Sequence, residues 1–580
     1  MRKTSLLCIT LVLAALCGAT LAAGLDENPL YRAMQDELDR SMQQLKLKEL
    51  AGPYYLAYRV EDSQTAYMKA VFGAVVIDEI YRQRELHVDL RVGDYALDNS
   101  NFLVFSRHDS PALLPLEDNY AVFRHIIWLK TDRAYKQALE TLAKKKAVIE
   151  NRMLKDRLND FCRTEPTTVI EPAVTLNLDR DACRAEIKTI SSLFKEFPDI
   201  QTSQIAFSVS ADNQYFVDSE GSVHLRAKLT ACIRADVSVQ DADGNVISDS
   251  REFFSDNPEK LFEQTDRIMT DLRHMAGALT ERITADKAEA YMGPVLFTDQ
   301  GAAQFFYQVL GRGVVHAMEP LLEDDRYSRY FRSDDTGFLN GKVGYRILPP
   351  TFTVVADPTV NRLNGRFLAG AFSVDDQGVR AQKVTLVEQG KLAAILMART
   401  PGKKMKKSNG YAYVNSSGSV KVRLGNLMVS AKDGIAPEDV RTQLIDACKD
   451  MGLEYGIMVT RLQTPRANRM VFFRTGAPQD EKPLLSAPLT AYKVYTNGRV
   501  EPLRGLAFAN VTPRVLKDII SQSDRQNTLN FTTMEGFRRG RPTSVTAPDV
   551  LIEEMELVAD DSRPQKPPYL DHPYFAEEGE

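Results

Sequence analysis

His316 and Glu319 close the stretch FFYQVLGRGVVHAME, residues 305–319. On one helix, residues three apart share a face. An imidazole and a carboxylate at that spacing could ligate a metal, but a metal site needs at least one more donor, and the local sequence supplies none. The plainer reading is a helix-end pair that faces solvent or each other. Histidine is scarce: His87, His108, His125, His224, His274, His316 and His572 are all there are. Metal or acid–base chemistry must come from these or from carboxylates. Asp375 and Asp376 are adjacent in FSVDDQGVRAQ. Neighbours on a strand point to opposite faces, so they make no acid–base pair unless the chain turns. DDQG reads as a turn, and turn aspartates are its plain explanation. The sequence holds no GxSxG, no GxxxxGK[ST], no GxGxxG before a helix and no HExxH.

The elements that must position these residues follow from length and pattern. At 580 residues, 44% hydrophobic and 26% charged, the chain has globular composition and room for about two to four domains. It opens with Arg2 and Lys3, an apolar run from Leu6 to Leu16, and small residues up to Ala23. That is the pattern of a cleaved signal peptide, residues 1–23. The run is short for a bilayer span, and no later segment reads as transmembrane. Export, into a bacterial periplasm, is the expectation. Loss of Arg2 and Lys3 moves the formal charge from −5 to −7, which argues against nucleic acid as a partner. The basic run GKKMKKSNG, residues 402–410, reads as a solvated loop. Among Cys162, Cys183, Cys232 and Cys448, the first two flank a proline-containing loop and are the pair a disulfide would favour; small buried residues fit equally.

Apolar periodicity predicts a helix over 28–48 and charged amphipathic helices over 132–154, 181–194 and 258–288. Period-two alternation predicts strands in YYLAYRVE, AYMKAVFGAVVIDEIY and ELHVDLRVGDY, and a meander over 204–254. After Met292 come a strand, GPVLFTD, the helix of the opening stretch, and mostly strands. EQGK and TNGR mark hairpins, and helices are expected over 437–452 and 513–523.

The order of several stretches carries a resemblance. VLFTDQGAAQFFYQVLGRG, FTVVADPTV, FSVDDQGVRAQKVTLVEQGKLAAIL, KKSNGYAY and VRLGNL follow one another. AYKVYTNGRVEPLRGLAFANVTPRVLKDI comes after them, and YYLAYRVEDSQTAYMKA and YFVDSEGSVHL stand before them. This succession, over about residues 28 to 560, resembles the TldD/PmbA family, whose active members are metallopeptidases. The resemblance implies an α+β fold in a two-domain TldD/PmbA-like architecture, with antiparallel sheets, flanking helices and a mostly β C-terminal domain. Residues 24–291 would form the N-terminal α/β domain with a helical insertion, 292–562 the C-terminal domain and 563–580 a flexible tail. Active relatives carry HExxxH, two zinc ligands and a base. Here the matching positions are Tyr307, Gln308 and Arg312, and NFTTMEGFRRGRPTS lacks the relatives' C-terminal cysteine ligand. No catalytic residue and no cofactor are expected, although active relatives hold zinc. The implied protein is an exported pseudoenzyme that binds peptide or a partner, as a homodimer or as a heterodimer with a related subunit. The alternative is a metal-dependent peptidase with a relocated site at His316 and Glu319.

Overall fold

The computed structural model describes residues 25–559, except 48, 104–110, 242–243, 245, 317, 325–336, 416–417, 464–482 and 536–537. The expected signal peptide and tail lie outside the described residues.

Asn28 caps the first helix, α1 (Pro29–Gln44), by accepting the N–H groups of Leu30 and Tyr31, with Pro29 at the first turn. The three expected strand runs are two long ones, β1 (Pro53–Val71) and β2 (Ala74–Val92). They turn at Phe72 and Gly73, both at positive φ, the geometry of a tight hairpin. Helix α2 (Tyr120–Asn151) begins well before the charged run that predicted it. Phe123 and Ile127 are fully buried, and that packing overrides the β-like composition of the first turns. Then come α3 (Arg180–Ser192) and the meander β3 (Thr202–Asp218), β4 (Val223–Gln240) and β5 (Val246–Ser255). The helix expected over 258–288 is a short turn at Pro258–Phe262 followed by α4 (Thr265–Thr284).

β2, β1, β3, β4 and β5 make one antiparallel sheet in that spatial order. Helices cover one of its faces. α1 and α2 pack on Leu56, Tyr58 and Val60, while α3 and α4 pack on Met68, Phe207 and Ile233. The opposite face is polar. Cross-strand partners share a face, so the register aligns Arg59 with Phe216 and His224, Glu61 with Gln214 and Arg226, and Ser63 with Asp212 and Lys228.

The C-terminal half builds a second sheet on β6 (Tyr291–Phe297), β7 (Phe352–Ala356), β8 (Val384–Glu388), β9 (Asn426–Ala431), β10 (Tyr455–Leu462), β11 (Pro488–Tyr495) and β12 (Val500–Arg504). The last two strands are β13 (Ile519–Glu535) and β14 (Arg538–Ala559). The order is β8-β7-β9-β14-β6-β10-β11-β12, with β13 along β14. Helices α5 (Asp299–Phe306) and α6 (Pro437–Asp450) pack against it. The helix expected over 513–523 is a single 3-10 turn, Pro513–Leu516, because Ile519 already pairs with Ile552 in the sheet. Tertiary pairing settles a local sequence that either state could use.

The cysteines correct the disulfide expectation. All four are free. Cys183 faces the helical core with Ile187 and Ile190, whereas Cys162 lies in a segment held by Arg399.

Arg399 ties the halves together. It is fully buried. Its guanidinium donates to the Cys162 carbonyl at 3.0 and 2.8 Å and meets Glu220 at 2.6 Å. It also stacks 3.8 Å above the Phe161 ring, while Arg91 stacks at 3.6 Å. Arg399→Met is expected to lower the unfolding free energy by about 3 kcal/mol, the scale for stripping one partner from a buried ion pair. Urea unfolding followed by fluorescence and circular dichroism checks this, and an unchanged midpoint would contradict it.

Candidate functional site

The opening stretch divides at Phe306. The α-helix ends there, and Tyr307–Gly311 winds as a π-turn. The Arg312 N–H bonds the Tyr307 carbonyl at 3.0 Å, a five-residue step. In an α-helix, residues five apart point in divergent directions. The wider turn brings positions 307 and 312 to one face. Gly311 makes it possible, since a Cβ there would lie 3.0 Å from Leu424 Cδ2 and 3.4 Å from Tyr307 Cδ2.

The three side chains have other occupations. Tyr307 packs edge-on against Phe531, ring centroids 4.7 Å apart. Gln308 is buried. Its Nε2 donates to Ser486 Oγ at 2.9 Å, and its Oε1 accepts the Ser486 N–H at 2.8 Å. Both ends of the amide are therefore committed to one residue, and an amide has no proton-accepting chemistry to offer a water. Arg312 carries a permanent positive charge. A phenol, an amide and a guanidinium do not form a donor set for zinc.

His316 and Glu319 are not on the helix. The His316 N–H bonds the Leu396 carbonyl at 2.8 Å, and Val315 bridges to Leu396. Burial pulls the His316 pKa below the ordinary imidazole value. Glu319 is exposed. The expected one-turn spacing fails because the helix stops first. Among the described residues, the sole group of three metal-donor side chains is Glu61, Glu85 and His87. Its surroundings oppose a dication: Arg541 lies 2.7 Å from Glu61, and Arg59 lies 3.9 Å from it. Burial and Arg59 push His87 down to about 3.

The structure places a cleft of about 590 Å³ elsewhere, where the polar face of the first sheet meets the C-terminal half. Glu61, Asp212, Arg226 and Lys228 line it from the first sheet, and Arg423 and Arg541 from the C-terminal half. Tyr307, Gln308 and Arg312 do not line it, so Arg312 is not its cation. They lie one layer behind: Phe531, which Tyr307 contacts, pairs with Thr543 on β14, two residues after Arg541.

Asp376 joins the two halves beneath this cleft. It sits 2.8 Å from Arg59 and 2.9 Å from Arg226, both from the first sheet. Burial pushes its carboxyl up, but Arg59, Arg226 and then Arg541 hold it well below the usual range. The expectation of two plain turn aspartates therefore holds for one of them only. Asp375 is the turn residue, accepting N–H groups from Gln377, Val379 and Ala412. Its burial lifts it to about 6. Glu61 resembles Asp376: burial raises it, and Arg541 and Arg59 more than offset that, leaving it at about 2. The cations feel one another as well. Burial, then Arg423 and Arg226, brings Lys228 down to about 7, and burial followed by Arg226 brings Arg423 to about 9.

Sequence reasoning missed this cleft. Its signal was present in alternate residues: Arg59, Glu61 and Ser63 on β1, and His224, Arg226 and Lys228 on β4. Alternation of that kind reads as a solvent-facing strand surface. What turned the face inward is a second half that no local pattern announces.

Residues 294–559 match the family described as PmbA/TldA metallopeptidase C-terminal domain. The fold as a whole is similar to three solved structures. One, from Thermotoga maritima, is described as a candidate modulator of a DNA gyrase; at 13% identity and a TM-score of 0.56, the match covers 90% of this chain and 99% of that one. TldE from Thermococcus kodakarensis matches at 13% identity and a TM-score of 0.56, over 91% and 100%. A candidate modulator of DNA gyrase from Bacteroides thetaiotaomicron matches at 12% identity and 0.54, over 91% and 98%. Such low identity speaks for the fold alone. No curated protein matches the chain. No described helix is long and apolar enough to cross a membrane.

The carboxylates of the cleft make acid stability testable. Glu61 is depressed from 4.5 to about 2 on folding. Its contribution is present above the unfolded value and is lost as pH falls through the folded one. Between pH 4.5 and about 2 the urea midpoint of the wild type is therefore expected to fall more steeply than that of Glu61→Gln. Parallel acid arms for the two proteins would refute the assignment.

Proposed function

We propose that the chain is a non-catalytic member of the TldD/PmbA family that binds peptides; the match of residues 294–559 to the PmbA/TldA metallopeptidase C-terminal domain supports this. We propose that it is exported to the periplasm, on the strength of its N-terminal leader pattern. It works there as a homodimer or paired with a related subunit. The observation that carries the reading is at the π-turn. Its winding places positions 307 and 312 on one face, as two ligands of an HExxxH motif would require. Yet the residue at the base position, Gln308, is clamped to Ser486 through both ends of its amide. A backbone suited to a metal thus carries side chains suited to packing. Fold analogy sets no activity by itself; the open cleft between the halves supports a binding role that needs no metal.

Purified mature protein is expected to contain no stoichiometric zinc, manganese or iron and to leave labelled casein intact. It should still retain casein-derived peptides on a peptide array. Chelator-sensitive hydrolysis would overturn the non-catalytic reading. The triple variant Tyr307→His, Gln308→Glu, Arg312→His is expected to retain no stoichiometric zinc through gel filtration, because two imidazoles without a third protein ligand leave the site incomplete. Tight retention would mean that a third ligand exists.

A further inference from the structure

Five cations line one small cleft, and their partners differ. Arg380, at its exposed edge, donates to the Thr168 carbonyl at 3.3 Å. Arg226 is committed to Asp376 at 2.9 Å and to the Val374 carbonyl. Arg541 meets Glu61 at 2.7 Å. Lys228 donates to the carbonyls of Ala369 and Ala371 at 2.8 and 2.9 Å. Arg423 makes no side-chain hydrogen bond and no ion pair among the described residues. Its guanidinium stacks on the Phe372 ring, 3.9 Å from Cζ to centroid. Phe372 lines the cleft beside it. A guanidinium laid on an aromatic ring keeps its N–H edge free in the ring plane, the edge that a carboxylate meets.

The cost of this arrangement is visible in its neighbours. Arg226 and Arg541 both disfavour the charged state of Arg423, and Asp376 relieves only part of that. A desolvated cation without a partner is unfavourable. The missing element is an anion that enters from the cleft.

We infer that the cleft takes its ligand through a carboxylate, held by the free edge of Arg423 and flanked by Arg226 and Arg541. This rests on the peptide-binding function proposed above and specifies what part of the peptide is recognised. A peptide offers two such groups, its C-terminus and an acidic side chain. The cleft holds Glu61, Glu171, Asp212 and Asp256 as well. Of these, Glu61 is neutralised by Arg541, and Glu171 is turned toward the Ser373 hydroxyl and the Ala227 N–H. Asp256 pairs with Arg362 at 2.9 Å, and burial pushes the Asp212 carboxyl up, so each acid is occupied or disfavoured as an anion away from the Arg423 edge.

The test uses full-length mature protein and random hexapeptide pools labelled with an uncharged dye that has no carboxylate, in an anisotropy titration. One pool has free C-termini and contains no Asp or Glu, the second is the same pool amidated, and the third is amidated but includes glutamate. The free or glutamate-bearing pool is expected to bind about tenfold or more tightly than the neutral amidated one, the scale of one charge-assisted pair. Which of the two pools gains identifies the carboxylate's source. Arg423→Met is expected to erase that gain, whereas Lys407→Met, the same charge change on the exposed loop, leaves it intact. Equal binding of all three pools by the wild type would overturn the carboxylate inference and leave peptide binding standing. Binding of none would overturn both. The wild-type comparison decides even if Arg423→Met does not fold.

Discussion

A carboxylate cannot be taken out of water alone, and Asp376 is almost wholly out of water between Arg59 and Arg226. The rest of the architecture turns on that constraint. The two cations stand on β1 and β4 of the first sheet's polar face, with β3 between them; the anion belongs to the C-terminal half. Neither group can be buried without the other half in place. Buried ion pairs add little net stability compared with apolar packing. The apolar clusters under α1 to α4 and around α5 and the second sheet supply that. What the pair supplies is registry: it fixes which face of the first sheet is interior and where the cleft opens.

The helix after β6 answers to a different constraint. A five-residue turn is rarely found unless something holds it. Here Gly311 gives room to Leu424, Tyr307 leans on Phe531, and Gln308 grips Ser486. The wide turn is kept by packing on all sides. Its shape is compatible with ligands at positions 307 and 312, and its chemistry is not. The two facts together favour a binding protein built on a peptidase frame.

Much of the fold was legible. Hairpin turns at Gln389–Gly390 and Asn497–Gly498 and the helix from Pro437 follow from local residues. The β1–β2 hairpin was legible in its strands but not in its length, because alternation continues through Phe72 and Gly73. The segment after Pro513 was misread as helix, since the partner that makes Ile519 a strand lies more than thirty residues further along the chain. The disulfide failed on geometry: spacing in sequence does not say that Cys183 faces a helical core. Positions 307, 308 and 312 were picked out by motif order. The cleft was not, because charged alternation on β1 and β4 carries no mark of what will cover it.

Phe161 lies between the guanidinium groups of Arg91 and Arg399. Neither cation loses its charge at any pH a protein meets, and the ring does not titrate. The stacked part of this joint therefore does not depend on pH, while the Glu220 contact to Arg399 and the Asp376 and Glu61 contacts at the cleft each rest on a carboxylate. The cation–aromatic stack is the contact between the halves that protonation of a carboxylate leaves untouched. The halves are thus joined by contacts of two kinds, one set by charge and one by an aromatic face, and only the second is the same in acid and at neutrality.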